Sequence, residues 1–133
     1  MSGFISHIAT LEIPVSSLET AIPFYVEVAG AEVEFKGERN AMLTFGTKGV
    51  PTIFLVETEQ TNRLFFRNSH NEIEHSIIDF YTADLKGFHS WLKSKDIETG
   101  PLNINPEHGY GGFGFKDPDG NHLSATNVLH KGQ

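Results

Sequence analysis

Two histidines at matching places in a repeated unit are the residues of this chain best suited to chemistry. His7 sits in FISHIATLEI and His75 in IEHSIIDFYTA, 68 positions apart (75 − 7 = 68). Each lies in a strand-like run, followed by a helix signal and then by further strands. A repeat of this size means two similar structural units with related faces. Matching strands of two such units would carry His7 and His75 to one site. There the imidazoles could bind a small molecule or contribute to a divalent metal centre. The chain has no cysteine, which removes thiolate zinc sites, disulfides and a cysteine nucleophile.

The elements that must position these groups can be read from periodicity. Residues 4–11 alternate, with Ile5, His7, Ala9 and Leu11 on one face, and predict a strand. Ser16 with Glu19 makes a capping box for a helix over residues 16–29. Leu18, Ile22, Tyr25, Val26 and Ala29 form its stripe, and Gly30 ends it. Pro23 predicts an irregular second turn. AEVEF and AMLTF flank GERN as a hairpin, and PTIFLVE makes a further strand. Residues 58–70 have no period and form a linker, whose Leu64, Phe65 and Phe66 could pack on the core, lid a pocket or meet a partner chain, with core packing the first expectation.

The second unit repeats the order. Residues 73–81 predict one strand. Asp84 caps a helix carrying Leu85, Phe88, Trp91 and Leu92. A turn and a short strand within 95–99, a loop over 100–112, a strand at 113–116, a turn at Asp117-Pro-Asp-Gly120 and a last strand over 122–128 follow. His122 is two residues before Ser124, on the same strand face and roughly 7 Å from it. Asp79 shares the face of His75 but stands four residues on, about 13 Å along a straight strand, too far to be a co-ligand. His70, His89, His108 and His130 are expected at the surface. GYGGFG at 109–114 superficially resembles a dinucleotide loop, but no helix follows it. Its glycines read as a mobile loop beside a cavity, with Glu107, His108 and Tyr110 as ligand contacts.

The 133 residues are enough for one compact domain, with module one at about 4–57, the linker at 58–70 and module two at about 71–129. The net charge of −7 argues against a nucleic-acid partner and is compatible with a cationic ligand. No signal peptide is read at the N-terminus, and no apolar stretch approaches the roughly 18 residues of a membrane span. The default expectation is a soluble cytoplasmic protein.

The doubled strand–helix–three-strand order, together with GFGFKDPDGNHLSATN, closely resembles the glyoxalase/bleomycin-resistance/extradiol dioxygenase family, the vicinal oxygen chelate superfamily. The resemblance covers about Phe4 to Leu129. It implies an α+β fold in which two βαβββ modules form a cupped mixed β-sheet around a ligand cavity. It also implies a homodimer, as in many short members. In metal-using members the first strand of a module often supplies a histidine, and His7 and His75 fit those places as metal candidates. The last strand often supplies a glutamate. After DPDGN this chain has His122-Leu123-Ser124, so Ser124 replaces that carboxylate. The matching place in the first module falls at about Phe54, again without one. Glu57 is three residues further, on the opposite strand face.

Two imidazoles without a carboxylate are an incomplete set for zinc, nickel, manganese or iron, which want three or more protein ligands. His122 could supply a third imidazole if the strands stagger suitably. Two function classes follow. One is a binder of a small organic molecule in a cavity between modules, contacted by His7, Phe54, His75, His122 and Ser124. The other is a metal-dependent lyase, isomerase or dioxygenase acting on a substrate with vicinal oxygens. A purely structural dimerisation module is a third.

Overall fold

The computed structural model describes residues 3–60 and 62–133. The chain divides into two compact units, one ending at Asn62 and the other beginning at Arg63, inside the stretch expected to be a linker. The first unit runs β1 (Thr10–Val15), α1 (Leu18–Ala29), β2 (Glu32–Lys36), β3 (Asn40–Thr44) and β4 (Thr52–Glu57). The second opens with β5 (Phe66–Arg67) and β6 (Glu74–His75), which pair with each other in a two-stranded sheet. It continues with β7 (Ile78–Tyr81), α2 (Leu85–Ser94), β8 (Asn103–Ile104), β9 (Gly111–Lys116) and β10 (His122–Thr126).

Each unit builds one four-stranded mixed sheet in the same order, β1-β4-β3-β2 and β7-β10-β9-β8. In each, the first strand is parallel to the last and the other pairings are antiparallel. The expected α+β architecture of two βαβββ modules is therefore present. Period-two alternation fixes which face each sheet buries. Ile13, Val15, Ala41, Leu43, Ile53 and Leu55 are buried in the first unit with Leu18, Ala21 and Tyr25 of α1. Ile78, Phe113, Phe115, Leu123 and Ala125 are buried in the second with Leu85 and Leu92 of α2. Among the described residues no helix is long and apolar enough to cross a membrane.

The first strand begins later than its alternation suggested. β1 starts at Thr10, and residues 4–8 are exposed. His7 therefore precedes the strand instead of lying in it. β1 runs through Pro14, which an edge strand tolerates because one side of its backbone faces no neighbour. The capping box also gives way. Ser17 is the N-cap and makes no side-chain cap bond. The N–H of Leu18 donates instead to Glu57 Oε2 at 3.0 Å, so the end of β4 caps α1. A carboxylate there also complements the helix dipole. The helix continues unbroken through Pro23.

The single strand expected over 73–81 is two. His75 pairs with Phe66 and Glu74 with Arg67, while Ile78 to Tyr81 pair with β10. Between them Ser76 turns its Oγ onto the carbonyl of Ile78 at 3.1 Å, a local bond that competes with a continuing ladder. The strand expected at 95–99 reduces to one bridge between Thr99 and Phe115. Of the glycines read as a mobile loop, Gly111, Gly112 and Gly114 lie in β9, where the neighbouring strands leave little room at the first two. A Cβ on Gly111 would run into the carbonyl of Asn103, and one on Gly112 would come within 2.7 Å of that of Ala125.

The turn before β10 is built as expected, with Gly120 at φ 82° and its N–H on the carbonyl of Asp117 at 3.0 Å. Behind it Asn121 is fully buried. Its Nδ2 donates to Asp117 Oδ2 at 2.8 Å, and its Oδ1 accepts the N–H of Leu64 at 2.9 Å. Asn121→Ala removes both bonds and is expected to destabilise the chain by about 1–3 kcal/mol in urea unfolding. Faster hydrogen exchange at the Leu64 amide should accompany it. Asp84 caps α2 through the N–H of Gly87 at 3.0 Å, so Asp84→Ala should cost about 1 kcal/mol in the same measurement.

Candidate functional site

The face of the second sheet opposite α2 carries a groove of about 560 Å³. Two rungs of side chains floor it. In the first, register places Asp79 of β7 beside Ser124 of β10 and Ser124 beside Gly114 of β9. Gly100 follows, its N–H on the carbonyl of Gly114 at 2.7 Å. In the second, His122 faces Lys116, and the N–H of Lys116 reaches the carbonyl of Glu98 at 3.1 Å. Residues alternating with these, Leu123, Phe113 and Phe115, point the other way and are buried. The open space has a simple origin. Two neighbouring positions of the first rung are glycines, so nothing fills the room beside Ser124.

The β5–β6 hairpin supplies one wall through Glu74, His75 and Ser76. Its aromatics lie flat on the imidazoles. Phe66 stacks on His75 with ring centres 5.0 Å apart and planes 11° off parallel. Phe65 stacks on His122 at 4.5 Å and 17°. Phe65 and Phe66, expected in the core, remain partly exposed at 38% and 53%.

Polar contacts organise the floor. Ser124 Oγ lies 2.8 Å from Asp79 Oδ1 and 2.7 Å from Ser76 Oγ. Lys116 Nζ pairs with Glu98 Oε2 at 2.6 Å. That hydrogen bond, followed by the charge of Lys116, holds the Glu98 carboxyl below its ordinary value. Arg67 reaches Glu74 Oε2 at 3.1 Å, and Glu74 Oε1 stands 3.8 Å from His122 Nε2.

Of the residues singled out from the sequence, the structure brings His75, His122 and Ser124 onto this groove. His7 and Phe54 belong to the first unit. His7 is exposed, with Nδ1 2.9 Å from Ser6 Oγ. Phe54 lies in β4 opposite Glu12 of β1 and Met42 of β3. His7 and His75 do hold equivalent places, each three residues before the first strand of its sheet, but neither lies in that strand. Asp79, set aside on the assumption of a straight strand, shares the groove with His75 because the chain breaks between them. His89, expected at the surface, is half-buried and bonds the carbonyl of Gly100 at 2.9 Å.

A divalent metal fits these donors poorly. Ser124 is neutral, and Glu74 is held by Arg67. Among the described residues no three histidine, aspartate or glutamate side chains are arranged to hold a metal ion.

Sequence reasoning missed Glu74, Ser76, Asp79, Glu98, Thr99, Gly100, Gly114 and Lys116 as groove residues. Gly114 and Lys116 had a usable signal. They share the face of Ser124 across a hairpin whose turn was already assigned, so its register could have been written down.

A family model described as Glyoxalase/Bleomycin resistance protein/Dioxygenase superfamily matches residues 5–124. No curated relative matches by sequence. Among solved structures, a glyoxalase family protein from Enterococcus faecalis is 25% identical, with a TM-score of 0.69, 92% of this chain and 98% of that chain covered. A genomically encoded fosfomycin resistance protein from Listeria monocytogenes is 15% identical at a TM-score of 0.75, covering 95% of this chain and 96% of its own. A lactoylglutathione lyase from Agrobacterium tumefaciens is 18% identical at 0.68, covering 92% and 94%. The last two likenesses are of fold. The repeated βαβββ unit and a match across nearly all of its length make the chain a member of the Glyoxalase/Bleomycin resistance protein/Dioxygenase superfamily.

Proposed function

We propose that this chain binds a small organic molecule in the groove of its second unit, and that it does so without a metal. The observation that carries the reading is the first floor rung. Two glycines leave a concave space beside a serine and a carboxylate, and two imidazole–phenyl stacks provide flat apolar surface nearby. Concavity, apolar wall and a few convergent polar groups are the usual parts of a small-molecule site. Two proteins that share this fold are the listerial fosfomycin resistance protein and the agrobacterial lactoylglutathione lyase. The alternative, a metal-dependent lyase, isomerase or dioxygenase, lacks support from the donors around Ser124.

Gly114→Val tests the site. A Cβ at Gly114 meets only the carbonyl of Leu123, at an ordinary 3.7 Å, so the added side chain enters the groove without straining the backbone. Fragments screened by saturation-transfer NMR should bind the unmodified chain and lose their signals with Gly114→Val. Equal signals from both proteins would place binding elsewhere or nowhere. Calorimetric titration with zinc, nickel and manganese should show no stoichiometric tight binding to the unmodified chain, and a complete saturating isotherm would refute the metal-free reading. Ser124→Glu should raise metal affinity by about tenfold or more, because it adds a hard anionic ligand beside His122.

We also propose a homodimer. Phe4 and Ile5 are 93% and 86% exposed, and Ile8 is exposed beside them, an apolar run that a second copy would cover. Light scattering should give twice the chain mass of 14.8 kDa, and a constant single-chain mass over a wide concentration range would refute it.

A further inference from the structure

We infer that the groove takes an organic cation, seated with a protonated amine on Asp79 and an apolar or planar body along the hairpin wall. This rests on the reading of the groove as the ligand seat and deepens it to a ligand class.

Most charges facing the groove are already matched. Lys116 and Glu98 neutralise one another at 2.6 Å. Glu74 has Arg67 at 3.1 Å, a guanidinium it shares with Glu72 at 3.4 Å, and His122 stands 3.8 Å from its other oxygen. Asp79 has neither. Its Oδ1 accepts from the neutral hydroxyl of Ser124, and its Oδ2 has no hydrogen-bond partner among the described residues. No Lys, Arg or His side chain among them forms an ion pair with it. The groove thus holds one carboxylate without a counter-charge.

The protons of the two hydroxyls sharpen the point. Each serine has one proton to give. Ser124 has Asp79 Oδ1 at 2.8 Å and the carbonyl of Ile78 at 3.2 Å, and the charged acceptor at the shorter distance takes the stronger bond. Ser76 is left with Ser124 Oγ at 2.7 Å or the carbonyl of Ile78 at 3.1 Å. Either way both protons are committed within the protein. Around Asp79 the floor then offers acceptors only: a carboxylate oxygen and hydroxyl lone pairs. Its complement is a donor, and a charged donor is the strongest one. Gly114 and Gly100 leave the room for such a group to approach Asp79 along the rung. The net charge of −7 attracts the same class of molecule from a distance.

Three probes of matched shape decide the matter: benzylamine, benzyl alcohol and benzoate, each titrated by ligand-observed NMR at low ionic strength. Benzylamine should bind at least about tenfold more tightly than the alcohol, with benzoate weakest. Asp79→Asn keeps an oxygen for Ser124 and removes the charge, so it should cancel the preference for benzylamine over benzyl alcohol. Asp96→Asn removes the same charge from an exposed position outside the groove and should leave the preference intact. If benzyl alcohol or benzoate binds as well as benzylamine and Gly114→Val abolishes all three, the groove is a ligand seat and the cation inference is wrong. If no probe responds to Gly114→Val, both readings fall. The comparison of the three probes on the unmodified chain stands even if Asp79→Asn does not fold.

Discussion

A buried amide holds the second unit's site together. Asn121 has no exposed surface, and burying an amide is costly unless its polar atoms are bonded. Asp117 satisfies one end of it and the backbone of Leu64 the other. The neighbouring N–H of His122 then closes onto the carbonyl of Leu64 at 3.1 Å. Arg63 adds a bond from its Nε to the carbonyl of Asp119 at 3.2 Å. The chain entering the unit is therefore fixed beside the turn before β10. Phe65 follows directly and meets His122, and the hairpin that follows carries Glu74, His75 and Ser76 to the groove. Polar satisfaction sets the path of this segment. Apolar burial does not, since Phe65 and Phe66 stay partly exposed.

The sheet beyond that anchor has two unlike faces, and period-two alternation explains both. Phe113 and Phe115 lie on the helix side, in ring contact with Phe88 of α2 at 5.8 and 5.6 Å. The residues between and beside them are Gly112, Gly114 and Lys116, and the two glycines give the opposite face little bulk. The same alternation that packs the core on one side therefore hollows the other. Gly111 and Gly112 are glycines for a different reason, the close approach of β8 and β10, so one run of sequence serves both strand pairing and the groove.

Much of the fold was legible in the sequence because its signals are local. The repeat, the Asp84 cap, the hairpin at Gly37–Asn40 and the turn at Asp117–Gly120 each depend on residues close together in the chain. What was lost depends on distant partners. Nothing near Leu18 says that Glu57 will cap its helix. Nothing in IEHSIIDFY says that its first part pairs with Phe66 and its second with β10, because both parts keep the same period. The loop expected over 100–112 takes in Gly111 and Gly112 of β9, because glycine weakens an isolated strand and the neighbours that require it are not visible locally.

The histidines illustrate the same limit at the level of function. Their spacing corresponds to two equivalent positions, each three residues ahead of a sheet's first strand and not within it. It could not report what each ring would touch. In the second unit His75 lies face to face with Phe66, which gives the imidazole an apolar, orienting neighbour. The polar centre of the groove passes instead to Asp79 and Ser124, which adjoin only because β7 and β10 run parallel in this register. Were Ser124 a carboxylate, it would stand beside Asp79 with like charge, and a cation between them would relieve the repulsion. A serine there removes that need. It turns the pair into a hydrogen-bonded unit with a single negative charge, one that a protonated amine can match alone.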